Sequence, residues 1–485
     1  MQFLWSQSCK IPQRRCLPGD LEVDIVVIGA GMAGVLTAHF LQEAGHQVVV
    51  VDAGTIASGQ TGHTTAKITA QHGMIFQKLI DTLGEDMARQ YAQANLSAVY
   101  AYKAMIQDHH IDCDFEERSA YVYGNDWEQL QAEAQAAAKL GLPAFYVTDL
   151  NIPIPSAGGV KMEHQAQFHP LKFLKHISDG LTIYEHTPVE TVDDHMLTTP
   201  YGSITAQHIV FACHFPFINM PGMYFARLHQ ERSYVLALEN ASQVDGMYIC
   251  AQEGGYSLRN YGKLLLMGGE NHRCGENRDG GRYERLRQKA REWFPDSREV
   301  CHWSAQDCMT PDGVPYIGRY ATSHPHWYVA TGFQKWGMTT SMVAATILRD
   351  LICGKESPCA QVFDSGRFEA AALPGMAVDG GKAVKGMVKR FFQIPSKEAA
   401  EIPRGHGGIV FLNGEKLGVY KEPNGTIHPV DIRCPHLGCQ LEWNPDELSW
   451  DCPCHGSRFD RYGHLISGPA QKDISMEVSL WQNKE

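Results

Sequence analysis

Residues 23–54 read VDIVVIGAGMAGVLTAHFLQEAGHQVVVVDAG, and this stretch decides the fold. An apolar run ends in closely spaced glycines, a segment of helical length follows, and a second apolar run ends at Asp52. This order predicts a strand, a tight turn, a helix and a second strand, which together form a nucleotide-binding βαβ unit. Gly29 permits the turn, Gly31 lets the backbone approach a pyrophosphate, and Gly34 lets the helix pack closely on the strand.

The residues that flank this turn support the same prediction. The helix is expected to begin near Met32, so that its N-terminus faces the anionic pyrophosphate. Asp52 follows the second strand, where a carboxylate can accept hydrogen bonds from ribose hydroxyls. Glycine spacing does not separate NAD from FAD, so that choice depends on the rest of the chain.

Two later segments bear on the choice of cofactor. Residues 303–318 read WSAQDCMTPDGVPYIG and residues 327–341 read WYVATGFQKWGMTTS. Both resemble the glycine and D-amino-acid oxidase family of flavoproteins, in which this region closes over the flavin ring. The resemblance implies FAD and an α/β flavoprotein fold, in which a Rossmann-type FAD-binding domain is interleaved with an antiparallel-sheet substrate domain. The residues that match the family's flavin-contacting turn are Gly332, Phe333, Gly337 and Met338.

The segment SGQTGHTTAK, residues 58–67, lies where the family runs along the pyrophosphate and ribityl chain. The hydroxyls of Thr61, Thr64 and Thr65 suit that role. His63 matches a histidine that is joined covalently to the flavin in the dimethylglycine-dehydrogenase branch. A plain hydrogen-bonding histidine is the alternative, and we favour it.

Four residues are candidates for the substrate site. Amino-acid oxidases of this family grip the substrate carboxylate with an arginine, and Asp307 stands at that position here. An acid there favours a cationic amine, unless Arg259 supplies the cation from another strand; alternatively, Asp307 and Arg259 form a structural pair. Lys335, beside the flavin turn, could stabilise the reduced flavin or be a surface lysine, and Tyr256 could line the pocket or merely pack.

The C-terminal part of the chain carries CPHLGC at residues 434–439 and CPCHGS at residues 452–457. Each loop offers one thiolate and one imidazole, which indicates a Rieske [2Fe-2S] centre with cysteines on one iron and histidines on the other. Tetrahedral zinc accepts the same ligand types and is the alternative. The predicted ligands are Cys434, Cys452, His436 and His455.

The C-terminal segment as a whole resembles the Rieske family. The resemblance implies that Cys439 and Cys454 form a disulfide and that residues 468–470 form a third loop over the cluster. It also implies that the Ser457 hydroxyl bonds a bridging sulfide. Phe459 stands where high-potential members have a tyrosine, so we expect a lower reduction potential than in the respiratory-complex proteins.

Length and motif positions predict four parts. They are an N-terminal extension over residues 1–20, a flavin and substrate domain over 21–365, a linker over 366–397 and a small all-β Rieske domain over 398–485. The net charge of -12 argues against a nucleic-acid partner, because binding phosphates needs a concentrated basic surface.

The N-terminal residues lack a secretory pattern, and the chain has no apolar run of about eighteen residues. The other cysteines, scattered from Cys9 to Cys359, are expected to be free thiols in a reducing compartment. We therefore expect a cytoplasmic protein without a spanning helix. The basic stretch over residues 382–392 could contact an anionic membrane surface, or form a solvated linker helix.

These parts together predict an FAD-dependent amine or amino-acid dehydrogenase that acts on C–N bonds. Flavin would pass electrons one at a time through the cluster to an external acceptor such as a ferredoxin, a cytochrome or a quinone. One alternative is a reductase or monooxygenase-like flavoprotein fed through the cluster; another is a non-catalytic electron-transfer or redox-sensing module. A Rieske oxygenase using His164 and His169 for a mononuclear iron is disfavoured, because the expected carboxylate is absent.

Overall fold

The computed structural model describes residues 4–367, 399–412 and 415–476. Two large sheets build the N-terminal part, and two small antiparallel sheets build the C-terminal part. The helices are α1 (Leu4–Ser8), α2 (Met32–Glu43), α3 (Phe76–Leu83), α4 (Glu85–Asp108), α5 (Trp127–Lys139), α6 (Pro170–Ile177), α7 (Arg282–Trp293), α8 (Gly337–Ile352) and α9 (Ala360–Phe363). The strands are β1 (Leu21–Ile28), β2 (Val48–Val51), β3 (Lys67–Ile68), β4 (Glu116–Gly124), β5 (Ala144–Val147), β6 (Gly158–Gln167), β7 (Thr182–Tyr184), β8 (Thr191–Asp193), β9 (Met196–Thr199), β10 (Gly202–Phe211), β11 (His229–Glu239), β12 (Gly246–Cys250), β13 (Ser257–Tyr261), β14 (Leu264–Arg273), β15 (Arg298–Met309), β16 (Tyr316–Ala321), β17 (His324–Thr331), β18 (His406–Leu412), β19 (Glu415–Lys421), β20 (Ile427–Val430), β21 (Glu442–Asn444), β22 (Ser449–Asp451), β23 (Arg458–Asp460) and β24 (Leu465–Ser467).

The first sheet has the order β16-β17-β10-β1-β2-β7, with the β8-β9 hairpin on β10. Strands β1, β2, β7, β10 and β17 run parallel, which explains why β1 and β2 are almost continuous apolar runs. Helices α2 and α8 pack against each other, and Val27, Val35 and Ala344 lie fully buried in the same core cluster. The predicted βαβ unit is thus confirmed as the centre of this sheet.

The second sheet has the order β15-β11-β14-β13-β12-β4-β6-β3, with β5 on β6. It is antiparallel except at the parallel pair of β12 with β4. Its strands come from two separate stretches of the chain, β3–β6 and β11–β15, which alternate with strands of the first sheet. This arrangement confirms the predicted interleaved α/β fold.

The N-terminal residues pack onto this body. Trp5 is fully buried, and its indole N–H donates to the Thr64 carbonyl at 2.7 Å. The backbone amide of Leu17 donates to Thr187 Oγ1 at 3.1 Å. The segment predicted as an extension therefore supports the loop that carries the threonines of residues 58–67.

The C-terminal domain contains a three-stranded sheet, β18-β19-β20, and a four-stranded sheet, β21-β22-β23-β24. Trp450 and Phe459 are fully buried in its core. This agrees with the predicted small all-β domain. Most of the predicted linker and the whole basic stretch over residues 382–392 lie outside the described residues. Among the helices that are described, none is long and apolar enough to cross a bilayer.

Candidate functional site

The glycine turn after β1 is held by tight backbone contacts. Gly29 has φ +112°, and a Cβ there would come within 2.5 Å of the Ala212 carbonyl oxygen. The backbone amides of Ala30 and Gly54 each donate to one oxygen of Asp52 at 2.7 Å. Burial raises the pKa of the Asp52 carboxyl, although these two hydrogen bonds oppose the rise. Asp52 therefore shapes the turn, in addition to the ribose contact that its position predicts.

A cavity of about 1480 Å³, here called the main cavity, opens at this turn. Its volume exceeds the roughly 300–1,000 Å³ of ordinary small-molecule pockets, so it has room for a dinucleotide together with a substrate. The predicted cofactor residues that line it are Gly29, Gly31, Met32, Asp52, Thr61, His63, Thr64, Thr65, Phe333, Gly337 and Met338. Residues from distant parts of the sequence thus meet around one space of suitable size.

Two predicted glycines lie behind the cavity wall. Gly34 packs α2 on β1, as predicted, since a Cβ there would clash with the Gly29 carbonyl. Gly332 gives the chain its left-handed turn before α8, with φ +71°. Both shape the cavity without lining it.

His63 ends a short 3-10 helix, Gln60–His63, at the cavity wall. Its Nδ1 lies 2.7 Å from the Gly59 carbonyl oxygen, and its own carbonyl accepts from the Trp303 indole at 2.7 Å. Burial lowers the pKa of His63, so the ring is neutral at pH 7. The first contact holds the imidazole and the second holds the backbone of His63 at the cavity wall.

Three of the four candidate substrate-site residues line the main cavity, namely Asp307, Lys335 and Tyr256. Burial raises the pKa of Asp307 to about 6, Glu231 adds to the rise, and Lys335 and Arg232 oppose it. Lys335 Nζ lies 3.0 Å from Glu231, so it is an ion-paired cavity lysine.

Tyr256 lines the cavity and also makes a polar contact within its wall. Its hydroxyl donates to Glu270 Oε1 at 3.1 Å. Burial is the first cause that raises the pKa of Tyr256 to about 12, and Glu270 adds to the rise. The phenol is therefore protonated across the physiological range.

Arg259 is placed differently from its predicted role. It is fully buried and is absent from the residues that line the main cavity. Its guanidinium donates to the carbonyls of Ala66 and Asn260, at 2.7 and 3.1 Å. Asp307 instead faces Glu231 across the β11–β15 pair. Arg259 is thus neither a cavity cation nor the partner of Asp307, because it holds the backbone of the loop behind the wall.

Lys67 is a cavity residue that the sequence did not single out. It follows Ala66, the residue whose carbonyl Arg259 holds, and its Nζ donates to Thr65 Oγ1 at 3.0 Å. Burial, with a smaller contribution from Arg259, lowers the pKa of Lys67 to about 7. The only hint in the sequence was a lysine within a segment assigned to the cofactor.

The predicted cluster ligands converge in the C-terminal domain. The thiols of Cys434 and Cys452 are buried and in hydrogen-bonding contact. The Nδ1 atoms of His436 and His455 face each other at 3.2 Å. Burial lowers the pKa of His436 to about 4 and that of His455 to about 3, which keeps both imidazoles neutral and able to bind metal. Separate sulfur and nitrogen pairs fit a two-iron cluster with unlike irons.

The residues around these ligands also lie where the Rieske resemblance predicts them. Cys439 and Cys454 form the expected disulfide. The Ser457 hydroxyl contacts Cys434 and accepts the Ala470 amide at 3.0 Å, so the third loop lies over the cluster site.

The histidines considered for an oxygenase iron have other contacts. His169 caps α6, with Nδ1 accepting the Lys172 amide at 3.3 Å, and its Nε2 lies 2.9 Å from Ser8 Oγ. Both ring nitrogens are therefore engaged. In the described parts of the chain, neither His164 nor His169 belongs to a cluster of potential metal ligands.

The C-terminal domain closes the main cavity. Residues Leu465 to Lys472, which include the third cluster loop with Gly468, Pro469 and Ala470, line it together with the glycine turn. His436 Nε2 donates to Asn219 Oδ1 at 2.7 Å, which joins a cluster ligand to the N-terminal part. The main cavity and the cluster site are therefore adjacent across one domain interface.

Comparison with known proteins bears on both sites. Residues 24–351 match the model of the family described as FAD dependent oxidoreductase, and residues 393–478 match that of the Rieske [2Fe-2S] domain. The Rieske 2Fe-2S iron-sulfur protein YhfW of Bacillus subtilis (strain 168) is 37% identical over 489 residues, which cover 97% of this chain and 96% of that protein. Gamma-glutamylputrescine oxidoreductase of Escherichia coli (strain K12) is 23% identical over 399 residues, which cover 76% of this chain and 90% of that protein. The crystal structure of glycine oxidase from Geobacillus kaustophilus superposes with a TM-score of 0.61 at 19% identity, over 72% of this chain and 99% of that one, so the two share a fold.

Proposed function

Because the chain belongs to the FAD dependent oxidoreductase family and ends in a Rieske [2Fe-2S] domain, we propose that it is an amine dehydrogenase that passes electrons through the cluster to an external one-electron acceptor. When bound, FAD supplies oxidation of the C–N bond to an imine, and the cluster accepts electrons singly. The observation that carries the proposal is the shared cavity, which both the glycine turn and the third cluster loop line. An oxidase that gave its electrons to oxygen would not need a cluster at this wall.

The cavity wall suggests which amines fit. Among the described residues that line it there is no arginine, so none of them offers the bidentate grip that amino-acid carboxylates prefer. Glu231 and Asp307 instead present two acidic groups, of which Lys335 neutralises one. An amine without an adjacent carboxylate suits this wall better than an ordinary amino acid. The similarity to gamma-glutamylputrescine oxidoreductase agrees with this choice.

Lys67 and Asp307 supply the groups that the reaction needs. The amine must lose its proton before its C–N bond is oxidised, and Asp307, with a pKa of about 6, can accept a proton near neutral pH. The ammonium of Lys67 can stabilise negative charge on the reduced ring. Its low pKa reflects a buried site, where such a charge acts strongly.

The alternatives make different predictions from the same structure. A carrier or sensing module without turnover does not need a substrate cavity beside the cofactor, and the main cavity argues against it. A reductase fed through the cluster would use the same interface in the opposite direction. The external partner remains, in our proposal, a one-electron carrier or a quinone.

The test is anaerobic. Purified protein is mixed with a panel of amines, N-methylated amines and amino acids, while flavin absorbance and the cluster EPR signal are followed. We expect an amine to bleach the flavin first and to produce the reduced-cluster signal second. If no compound bleaches the flavin while reduced ferredoxin reduces both centres, the reductase alternative replaces the proposal.

A further inference from the structure

Strands β11 and β15 contribute residues to the main cavity and also contact the His455 loop of the cluster domain. They pair antiparallel, with Glu231 opposite Asp307 and Arg232 opposite Gln306. Glu231 and Asp307 line the cavity, whereas Gln230 and Arg232 do not. Gln306 lines the cavity too, and its side-chain amide also contacts the cluster domain. The His455 loop of the cluster domain is therefore docked on these two strands.

Two glutamines on these strands hold the loop of cluster ligand His455. Gln230 Nε2 donates to the His455 carbonyl at 2.5 Å, and Gln306 Nε2 donates to the Gly456 carbonyl at 2.8 Å. Both side chains are 1% exposed. Gly456 has φ +77°, and a Cβ there would come within 2.8 Å of the Gln230 side chain. The backbone of the His455 loop is therefore packed directly against the Gln230 side chain.

The orientation of both amides is set by Arg232. A guanidinium can only donate, so its bond to Gln306 Oε1 leaves the Gln306 amide as a donor. Gln306 Nε2 donates in turn to Gln230 Oε1, which leaves the Gln230 amide to donate to His455. Arg232 is held by Glu447 and Asp451 of the cluster domain, at 3.8 and 3.9 Å. The direction of every bond in this chain is therefore fixed.

The same bridge reaches the cavity at two points. His214, which lines the cavity with φ +68°, has Nε2 at 3.2 Å from Gln230 Oε1. The Gln306 backbone amide donates to Gln60 Oε1 at 2.7 Å, and Gln60 also lines the cavity. A continuous set of hydrogen bonds therefore runs from the cavity wall to the backbone of a cluster ligand.

We propose that Gln230 and Gln306 are positioning residues, which clamp the His455 loop on the cavity wall and so set the rate of electron transfer between flavin and cluster. The inference rests on the proposed function only in needing both cofactors, and it holds for either direction of flow. With both cofactors bound, one electron would be lost by the flavin and gained by one iron of the cluster, or the reverse in the opposite direction of flow. Any proton that the flavin releases or takes up would be exchanged with water, and no bond to either glutamine would form or break.

The test uses the full-length protein with both cofactors and no amine. Light in the flavin absorption band, with EDTA as the electron donor, reduces the bound flavin, and the cluster signal is then followed in time. We expect Gln230→Met and Gln306→Met, which keep the side-chain size and lose the amide, to slow cluster reduction by about tenfold or more. Hydrogen exchange of the amides of residues 452–457 should accelerate in the same variants.

The matched control is Arg278→Gln, which removes an exposed interdomain contact to Glu442 at 3.0 Å, away from the bridge. It should transfer electrons like the parent. Flavin content, EPR g-values and direct reduction of the cluster by dithionite should stay unchanged in all three variants, since a general loss of structure would alter them. Transfer within twofold of the parent in both glutamine variants, or no transfer in the parent, overturns the proposal. A failed amine panel would not, because this measurement needs no amine.

Discussion

At the scale of single residues, the cavity wall holds two carboxylates in unlike states. Although burial opposes it, His229 and Lys335 lower the pKa of Glu231 to about 2. Asp307, directly opposite, has no hydrogen bond in the described contacts that offsets its burial, and its pKa rises to about 6. Unlike environments thus separate the pKa values of two neighbouring acids, a pattern found where one of them exchanges protons. This assigns Asp307, rather than Glu231, to proton transfer in the proposed reaction.

The Asp307→Asn variant tests that assignment. In the parent, Asp307 is ionised above pH about 6 and attracts a protonated amine, whereas below that pH the attraction is lost. We expect the half-saturating amine concentration for flavin bleaching to rise in the parent as the pH falls from 7.5 to 5. In the variant it should be at least about tenfold higher at pH 7.5, which corresponds to about 1.4 kcal/mol. A variant that keeps the parent's affinity and pH profile would remove Asp307 from the site.

The unfolding free energies of the parent and of Asp307→Asn give an independent check on the raised pKa of Asp307. The folded-state pKa of Asp307 lies above its ordinary value of 3.8. Its contribution to the free energy of unfolding is therefore fully present below pH 3.8 and is lost as the pH rises through about 6. Between pH 5 and 7.5 the parent should lose about 1 kcal/mol of unfolding free energy relative to the variant. Urea unfolding of both proteins at the two pH values measures this difference.

At the scale of elements, the β1–α2 turn and the N-terminus of α8 meet around the main cavity. Helix α2 follows Gly31 and helix α8 begins at Gly337, and a helix N-terminus favours an anion or polar ring atoms. At α2 the Met32 amide donates to Thr61 Oγ1 at 3.0 Å, which ties the helix start to the threonine segment. Tyr102 fixes α8 by donating its hydroxyl to the Met338 carbonyl at 2.9 Å. The cofactor region is therefore built from helix ends held by buried contacts.

The Gly31→Ala variant tests whether this turn binds the cofactor, without disturbing the fold. Gly31 has φ -79° and ψ -175°, which alanine accepts, and a Cβ there would meet only Thr61 Oγ1 at 3.3 Å. The added methyl would occupy the place where the backbone approaches the pyrophosphate. We expect flavin content to fall at least about tenfold, or about 1.4 kcal/mol, while the cluster EPR signal is retained. Gly29→Ala, in contrast, should lose both signals, because its φ of +112° and the Ala212 contact leave no room. Full flavin content in Gly31→Ala would contradict the assignment.

At the scale of the whole molecule, buried charges join the two parts. Arg232 of β11 and Arg458 of the cluster domain share two carboxylates, Glu447 and Asp451. Although burial opposes it, both arginines lower the pKa of Glu447 and Asp451. Tyr283 adds a hydrogen bond to Glu447 at 2.8 Å. This interface favours one fixed arrangement of the two parts, because separating them would break the ion pairs of Arg232 with Glu447 and Asp451.

Arg232→Met should weaken this arrangement strongly. Its side chain is 1% exposed, and its removal leaves two buried carboxylates with one arginine. We expect a loss of about 3 kcal/mol of unfolding free energy, measured by urea unfolding with the cluster's visible circular dichroism as the signal. Arg278→Gln, whose side chain is 53% exposed, should cost less than about 1 kcal/mol. Equal effects of the two substitutions would show that burial of the Arg232 charge does not stabilise the interface.

The sequence by itself determined the parts whose chemistry is local. The glycine turn at residues 29–34 and the cluster loops at residues 434–439 and 452–457 were predicted because each needs particular residues a few positions apart. The disulfide of Cys439 and Cys454 came from a resemblance that rests on those same loops.

Only the tertiary structure decided how these parts meet. Arg259 lies outside the main cavity and Lys67 lines it, because the pairing of distant strands determines which side chains face a cavity. The Gln230 bridge joins residues 225 positions apart in the chain. Local sequence carries no signal for such a contact, since it depends on the docking of one folded domain on the sheet of another.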